Sequence, residues 1–344
     1  MSATLLPGIV AHSIPTPRLT ANVLERAGEG VPVVFVHGNV SSSQFYMPTM
    51  LALPAGVRAL AIDLRGFGDS ETLPVDATRG LRDFADDVIS VLDALGVDRF
   101  HLVGWSMGGG VAMQLMLDHA DRIVTVTLES PVSPYGFGGT RADGSPVDAA
   151  GAGVGGGAAN PEFVKRLQDG DTSDDPQVSP RAVYRSAYVK HPENVPNEDL
   201  WVESMLSTKT GDDNYPGTSR ATDLWPGFAA GDRGVLNTMA PAHCNLSGIA
   251  DLATKPPVLW IRGTDDAIVS DTSFFDINYL GQLGVVPGWP GEDVAPAQPM
   301  VSQTRAVLQR YGNYTELAWE DCGHGPHLDK AAEFDAALAQ HIAG

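Results

Sequence analysis

The chain has 344 residues, 43% hydrophobic and 19% charged, and its 22 basic and 42 acidic side chains give a formal net charge of −20. The apolar fraction suits a globular protein, and the length suits one large α/β domain with an insertion or two ordinary domains. The acidic balance speaks against nucleic acid or anionic membranes as partners, because both recruit surplus Lys and Arg. Two cysteines, Cys244 and Cys322, are too few for a disulfide framework and lack metal-ligand spacing, so reduced thiols and no metal are expected. Residues 1–18 carry neither the cationic start nor the apolar run of a signal peptide, and no stretch approaches the ~18 apolar residues of a membrane span. A soluble, cytoplasmic protein is expected.

Residues 31–36 form an unbroken apolar run of the kind found in strands buried on both faces, and residues 57–63 read as a second strand. A helix is predicted from about residue 80, where Leu81, Phe84, Val88, Val91, Leu92 and Leu95 recur at helical spacing and Gly96 supplies a stop. Residues 100–103 are the third strand, 106–119 a helix with Val111, Leu115 and Met116 on one side, and 123–128 the fourth strand. This alternation implies parallel pairing with helices on the sheet faces.

The pattern stops at residue 131. Residues 131–160 are rich in Gly, Ala and Pro, and the glycine run at 151–157 reads as a flexible linker or surface loop, with a hinge as the alternative. Residues 160–250 are weakly periodic and suit an irregular or helical insertion. The buried-strand signature returns at 257–262, followed by a helix at 301–311 and a strand at 315–319. A last helix is predicted at 328–342, with Leu328, Ala331, Phe334, Leu338 and Ile342 facing the core. One α/β core, residues 1–130 and 251–344, is therefore split by a cap or lid at 131–250.

Gly104-Trp105-Ser106-Met107-Gly108 fits G-x-S-x-G, a pattern that chance produces roughly a quarter of a time in a chain of this length. Its position carries the weight: it falls where a buried strand ends and a helix begins, the setting of a nucleophile elbow. A serine needs a base, and the order in this architecture is Ser, then Asp or Glu, then His, each after a later strand. Asp265 and Asp266 follow the 257–262 strand, and His324 follows the 315–319 strand. Asp271 and Glu129 are further candidate acids. His327 lies one turn beyond His324 and is assigned a surface role, while His101 is a core histidine.

The oxyanion requires two preorganised N–H donors: Met107, after the nucleophile, and a residue of the 37–43 loop, for which Asn39 fits best. His37 is expected to fix that loop. Residues 63–70 (DLRGFGDS) read as a structural loop in which Arg and Asp could pair.

Together the segments at 36–39, 63–70, 104–110, 263–269 and 322–326 resemble the α/β-hydrolase superfamily, in its cap-bearing branch of serine esterases, lactonases and haloperoxidase-like enzymes. The resemblance covers roughly residues 20–130 and 255–344. It implies an α/β-hydrolase fold and a Ser106–Asp266–His324 triad, because the family acid sits in Gly-x-x-Asp-x-[Ile/Val]-[Ile/Val], here Gly263 to Val269. The His-Gly-Asn loop resembles that of dehalogenases, but those enzymes and the epoxide hydrolases use an aspartate nucleophile, so both activities are disfavoured. The Gly-Pro-Gly of carbon–carbon bond hydrolases and the Gly-Gly-Ser-Trp-Gly elbow of proline iminopeptidases are absent. Fifty-eight residues separate Asp266 from His324, more than is usual; the surplus, about 273–299, either covers the active-site mouth or forms a solvated loop.

The expected activity is a cofactor-independent serine hydrolase acting on a small-molecule carboxylic ester or lactone, with Trp105, Phe45, Tyr46, Tyr135 and Phe137 lining an apolar pocket. Perhydrolysis, acyl transfer and carbon–carbon cleavage would use the same triad. A low-turnover ligand-binding protein of the same fold is the alternative from another class.

Overall fold

The computed structural model describes residues 4–344. Its frame is one eight-stranded sheet made of β1 (Val10–Pro15), β2 (Thr20–Arg26), β3 (Glu29–Val36), β4 (Val57–Ile62), β5 (Phe100–Trp105), β6 (Ile123–Glu129), β7 (Val258–Gly263) and β8 (Tyr314–Trp319). The spatial order is β1-β2-β4-β3-β5-β6-β7-β8. β1 pairs with β2, and β2 with β4, antiparallel; every other pairing is parallel. The central strand β5 is buried along its whole length, as its continuous apolar sequence requires.

Parallel neighbours need crossovers, and helices supply them. α1 (Arg82–Ala94) links β4 to β5, and α2 (Met107–His119) links β5 to β6. α2 is enclosed on all sides over its first ten residues rather than on one face, because it packs against β5, β6 and α1 together. α3 (Pro161–Asp169) and α4 (Glu198–Leu206) lie in the long connection between β6 and β7, which otherwise contains short turns and two-stranded ribbons. α5 (Met300–Tyr311) joins β7 to β8, and α6 (Ala331–Ala343) closes the chain.

The predicted strands and crossover helices are present to within two residues at each end, but four expectations need correction. The antiparallel pair β1–β2 has no counterpart in the predicted set. The last helix is two pieces, Pro326–Asp329 and α6, because Lys330 leaves helical geometry at φ −128°. The break is anchored by Asp329, which accepts the main-chain N–H groups of Lys190 and Gly323. Ala331 is consequently exposed, while Leu328, Phe334 and Leu338 are buried as expected.

The glycine run at 151–157 is no free linker. Gly153 donates to Phe228 O and Gly156 to Asn237 Oδ1, and a Cβ on Gly155 (φ 78°) would lie 2.1 Å from that same Asn237 oxygen. Cys244 and Cys322 are both free and buried, and burial pushes the Cys244 thiol up to about 12.

The 63–70 loop is structural, but its arginine pairs elsewhere. Arg65 forms two hydrogen bonds to Asp87 on α1, at 2.5 and 2.7 Å, and a third to Pro74 O at 2.9 Å. Asp63 instead accepts from Asn22 Nδ2, from Ser43 N at 2.8 Å and from Asp69 N. Arg18 joins Asp87 at 2.7 Å, so the antiparallel edge, the loop and α1 meet at one carboxylate. Asp87 is buried with its partner, and removing one member of a buried pair strands the other. Replacing Arg65 with Met is expected to lower stability by about 3 kcal/mol, read as a fall in the urea midpoint at unchanged slope.

Candidate active site

The elbow forms where β5 runs into α2. Ser106 has φ 58° and ψ −119°, a region that a side-chain-bearing residue occupies only when its surroundings enforce it. They do so through closeness: a Cβ on Gly104 would stand 2.3 Å from Gly108 O, and one on Gly108 would stand 2.2 Å from Val36 O. With no side chain at either position, the helix start sits directly against the ends of β5 and β3. Ser106 is held by its own backbone as well, donating to Glu129 O at 2.9 Å and accepting from Val132 N at 3.0 Å.

The four candidate carboxylates are separated by geometry. Asp266 is the one that meets His324, with Oδ2 at 2.8 Å from Nδ1 and both side chains almost fully buried. Its Oδ1 accepts the main-chain N–H groups of Ile268 and Val269 at 2.8 and 2.9 Å, so the carboxylate is oriented from both sides. Asp265 pairs with Lys190 at the surface, and Asp271 accepts from Ser302 at the start of α5. Glu129 binds His327, with Oε1 2.7 Å from Nδ1 and 2.9 Å from the His327 main-chain N.

The surface role assigned to His327 is therefore wrong. The ring is fully enclosed beside Tyr46, Trp105 and Phe334, and its Nε2 has no hydrogen-bond partner. The Glu129–His327 pair is a second acid–histidine pair, buried beneath the first and separated from it by the Trp105 ring, which lies 5.0 Å from His327 and 5.5 Å from His324. His101 is the core histidine expected, bonded to Thr125 at 2.9 Å, with burial pushing it down to about 4.

The loop after β3 is built on His37. Its Nε2 accepts the Leu64 N–H at 3.0 Å while Nδ1 lies 2.7 Å from Gly38 O, which requires the neutral ring with its proton on Nδ1. Burial lowers its pKa, in agreement with the neutral form. Val40 takes φ 47°, strained for a β-branched residue. The Tyr188 hydroxyl, donating toward both Asn39 O and Val40 O at 3.0 Å, pins that segment. Met107 is the first residue of α2, so its N–H has no acceptor within the helix.

Asn39, Ser106, Met107 and His324 all line one cavity of about 380 Å³. Its remaining wall is mainly apolar: Val132, Phe137, Phe163, Met239, Phe274 and Leu280 among others. Phe137 is thus a wall residue as predicted, but Trp105, Phe45, Tyr46 and Tyr135 are not. Trp105, Phe45 and Tyr46 are fully buried in an aromatic layer below the cavity, where Phe45 packs against Trp105 and Trp201. Tyr135 packs on the core edge with its ring over Gly144. Trp105 serves the site from behind instead, its indole N–H donating to His324 O at 2.8 Å.

Residues that sequence reasoning missed include Tyr188, Phe163 and Asp276, all from segments without a motif. The 273–299 surplus contributes Phe274, Phe275, Asp276, Ile277 and Leu280 to the cavity wall, while Leu283, Val285 and Val294 face solvent. Among the described residues no cluster of metal-ligating side chains occurs, and no helix is long and apolar enough to cross a membrane.

Comparison with known proteins agrees with this architecture. The esterase RhEst1 from Rhodococcus sp. ECU1013 superposes with a TM-score of 0.60 over 98% of this chain and 99% of its own, at 21% identity. A bromoperoxidase from Bacillus anthracis gives 0.62 over 97% and 100%, at 18% identity. Likeness at these identities is one of fold. In sequence, a 2-hydroxy-6-oxo-6-phenylhexa-2,4-dienoate hydrolase from Burkholderia cepacia is 34% identical over 129 residues, 36% of this chain and 44% of the relative. The chain thus spans less than half the length of that relative. The model described as "Alpha/beta hydrolase family" matches residues 33–337, from the first buried strand into α6. With the eight-stranded sheet, the elbow at its centre and that match across most of its length, the chain belongs to the alpha/beta hydrolase family.

Proposed function

We propose that this protein is a serine hydrolase that cleaves a carboxylic ester or lactone through an acyl-enzyme. The observation that carries the reading is the buried Asp266–His324 pair at 2.8 Å, whose histidine lines the same cavity as a serine held at φ 58°. A hydroxyl is a weak nucleophile until a neighbouring base takes its proton, and an imidazole does so only if its other nitrogen carries the hydrogen. Asp266 fixes that tautomer by accepting from Nδ1, which leaves Nε2 as the free base.

In this mechanism His324 Nε2 takes the Ser106 proton as Oγ attacks the carbonyl carbon. The N–H groups of Met107 and Asn39 receive the developing oxyanion, helped by the N-terminus of α2. His324 then gives its proton to the leaving alcohol, the acyl–Ser106 ester remains, and a water deprotonated by His324 releases the acid and regenerates the hydroxyl. Residues 131–250 act as a cap, with the 273–299 segment completing the mouth. The apolar wall suits a hydrophobic acyl group. Carbon–carbon cleavage is the second reading, favoured by the match to a dienoate hydrolase.

Hydrolysis of p-nitrophenyl butyrate tests the assignment. Ser106→Ala and His324→Ala are each expected to lower kcat about 10⁴-fold or more, and Asp266→Asn by about 10³–10⁴. Glu129→Gln, which alters the contacts to His327 and the Tyr46 hydroxyl but none to Asp266 or His324, is expected to stay within about tenfold of wild type; a loss equal to that of Asp266→Asn would overturn the choice of acid. Trp105 is a positioning residue, so Trp105→Phe, which loses the N–H to His324 O, is expected to lower kcat about tenfold at unchanged KM.

A further inference from the structure

Within the cavity wall, one charged side chain has no role in the chemistry described above. Asp276 is 2% exposed, lies between Phe275 and Ile277 on the segment that forms the mouth, and belongs to the cavity lining. Its Oδ1 accepts the Asn278 N–H at 3.0 Å and its Oδ2 the Gln298 N–H at 2.7 Å. One carboxyl therefore ties together the two ends of the segment from 276 to 298. That latch explains a polar group here, where Asp276 caps the short helix Ile277–Gln282, but an asparagine, a serine or a water could cap it without bringing charge into an apolar chamber.

The rest of the wall makes the charge matter. No Lys or Arg contributes to it; its other ionisable groups are His324, Tyr188 and Tyr215. Burial raises both tyrosines above their ordinary range, so they remain neutral phenols at physiological pH. The neighbours of Asp276 add no compensating cation: Asn278 and Gln298 supply main-chain N–H groups, and Gly138 stands across from it. A lone negative charge in a low-dielectric enclosure acts strongly on any charge brought beside it.

We propose that Asp276 is a specificity-determining residue that makes this cavity accept neutral acyl groups and reject anionic ones. The proposal rests on the serine-hydrolase reading for the identity of the ligand, an acyl group attached at Ser106. It also separates the chain from relatives named for dienoate substrates, which are carboxylates: an anion of that kind would enter a wall holding Asp276 and no cation.

Burial raises the Asp276 carboxyl from 3.8 to about 6, against the lowering effect of its two N–H donors. It is therefore mostly protonated near pH 5 and mostly ionised near pH 8, so rejection of anions grows as pH rises. The test compares two phenyl esters of matched shape, phenyl 4-sulfobutyrate with a permanent negative charge and phenyl 4-(methylsulfonyl)butyrate with none. Their kcat/KM ratio cancels any pH effect common to the two substrates. The ratio of neutral to anionic ester is expected to rise about tenfold from pH 5 to pH 8 in wild type and to stay flat in Asp276→Asn.

A flat wild-type ratio, or an undiminished rise in Asp276→Asn, would overturn the proposal. The wild-type profile stands even if the variant does not fold. Absence of turnover with both esters would count against the hydrolase reading alone. Binding of the same two compounds to His324→Gln, whose wall retains Asp276, still tests the charge: the anion should bind about tenfold more weakly at pH 8 than at pH 5, and equal affinities across that range would contradict it.

Discussion

The structure turns on a close approach of backbone to backbone. Gly108 lets the first turn of α2 rest against the carbonyls that end β3, and Gly104 lets it rest against β5, with no room for a methyl group on either residue. Because the helix cannot stand further away, Ser106 must reverse the chain in one residue, and it takes φ 58° to do so. The same contact sets the start of α2 against the end of β3, from which the Asn39 loop leaves, and Met107 and Asn39 line one cavity. In the proposed mechanism the nucleophile and both oxyanion donors therefore depend on a single packing constraint at the centre of the sheet, and the flanking strands hold that centre in place.

Around it, polar groups are organised in layers that each orient the next. Two main-chain N–H groups aim Asp266, Asp266 aims His324, and Trp105 holds the His324 carbonyl from below. Tyr188 and His37 do the same for the strained loop at Asn39 and Val40. Beneath lies the Glu129–His327 pair, sealed by aromatic rings; it is shaped like a catalytic dyad but has no access to the cavity. Position relative to the chamber, more than chemical type, distinguishes the two pairs: His324 lines the cavity, and neither Glu129 nor His327 does.

Much of this was legible in the sequence for a local reason. Strands buried on both faces leave continuous apolar runs, and Ser106 and Asp266 each follow such a run, while His324 follows β8, a mixed strand with no fully buried residue, in the order the fold demands. The edge pair β1–β2 was hidden because β1 has no buried residue and ends at Pro15, so it leaves no apolar pattern. Contacts between distant residues left no trace: Tyr188 reaches Asn39 across 149 positions, and His327 reaches Glu129 across 198. His327 looked like a surface residue because first turns of helices generally face water, yet the break at Lys330 turns this one inward. The pocket aromatics were misplaced for a related reason. Trp105, Phe45 and Tyr46 are near Ser106 in sequence, but their side chains fill the layer under it, whereas Phe163 and Phe274 arrive from segments with no motif.

The central claim is that Ser106 is an activated nucleophile. Intact mass measured after incubation with a small fluorophosphonate tests it without assuming a substrate. The account predicts one covalent adduct on the wild-type protein and none on Ser106→Ala or His324→Ala. Folded wild-type protein that takes up no adduct, or an adduct that survives in Ser106→Ala, would contradict it.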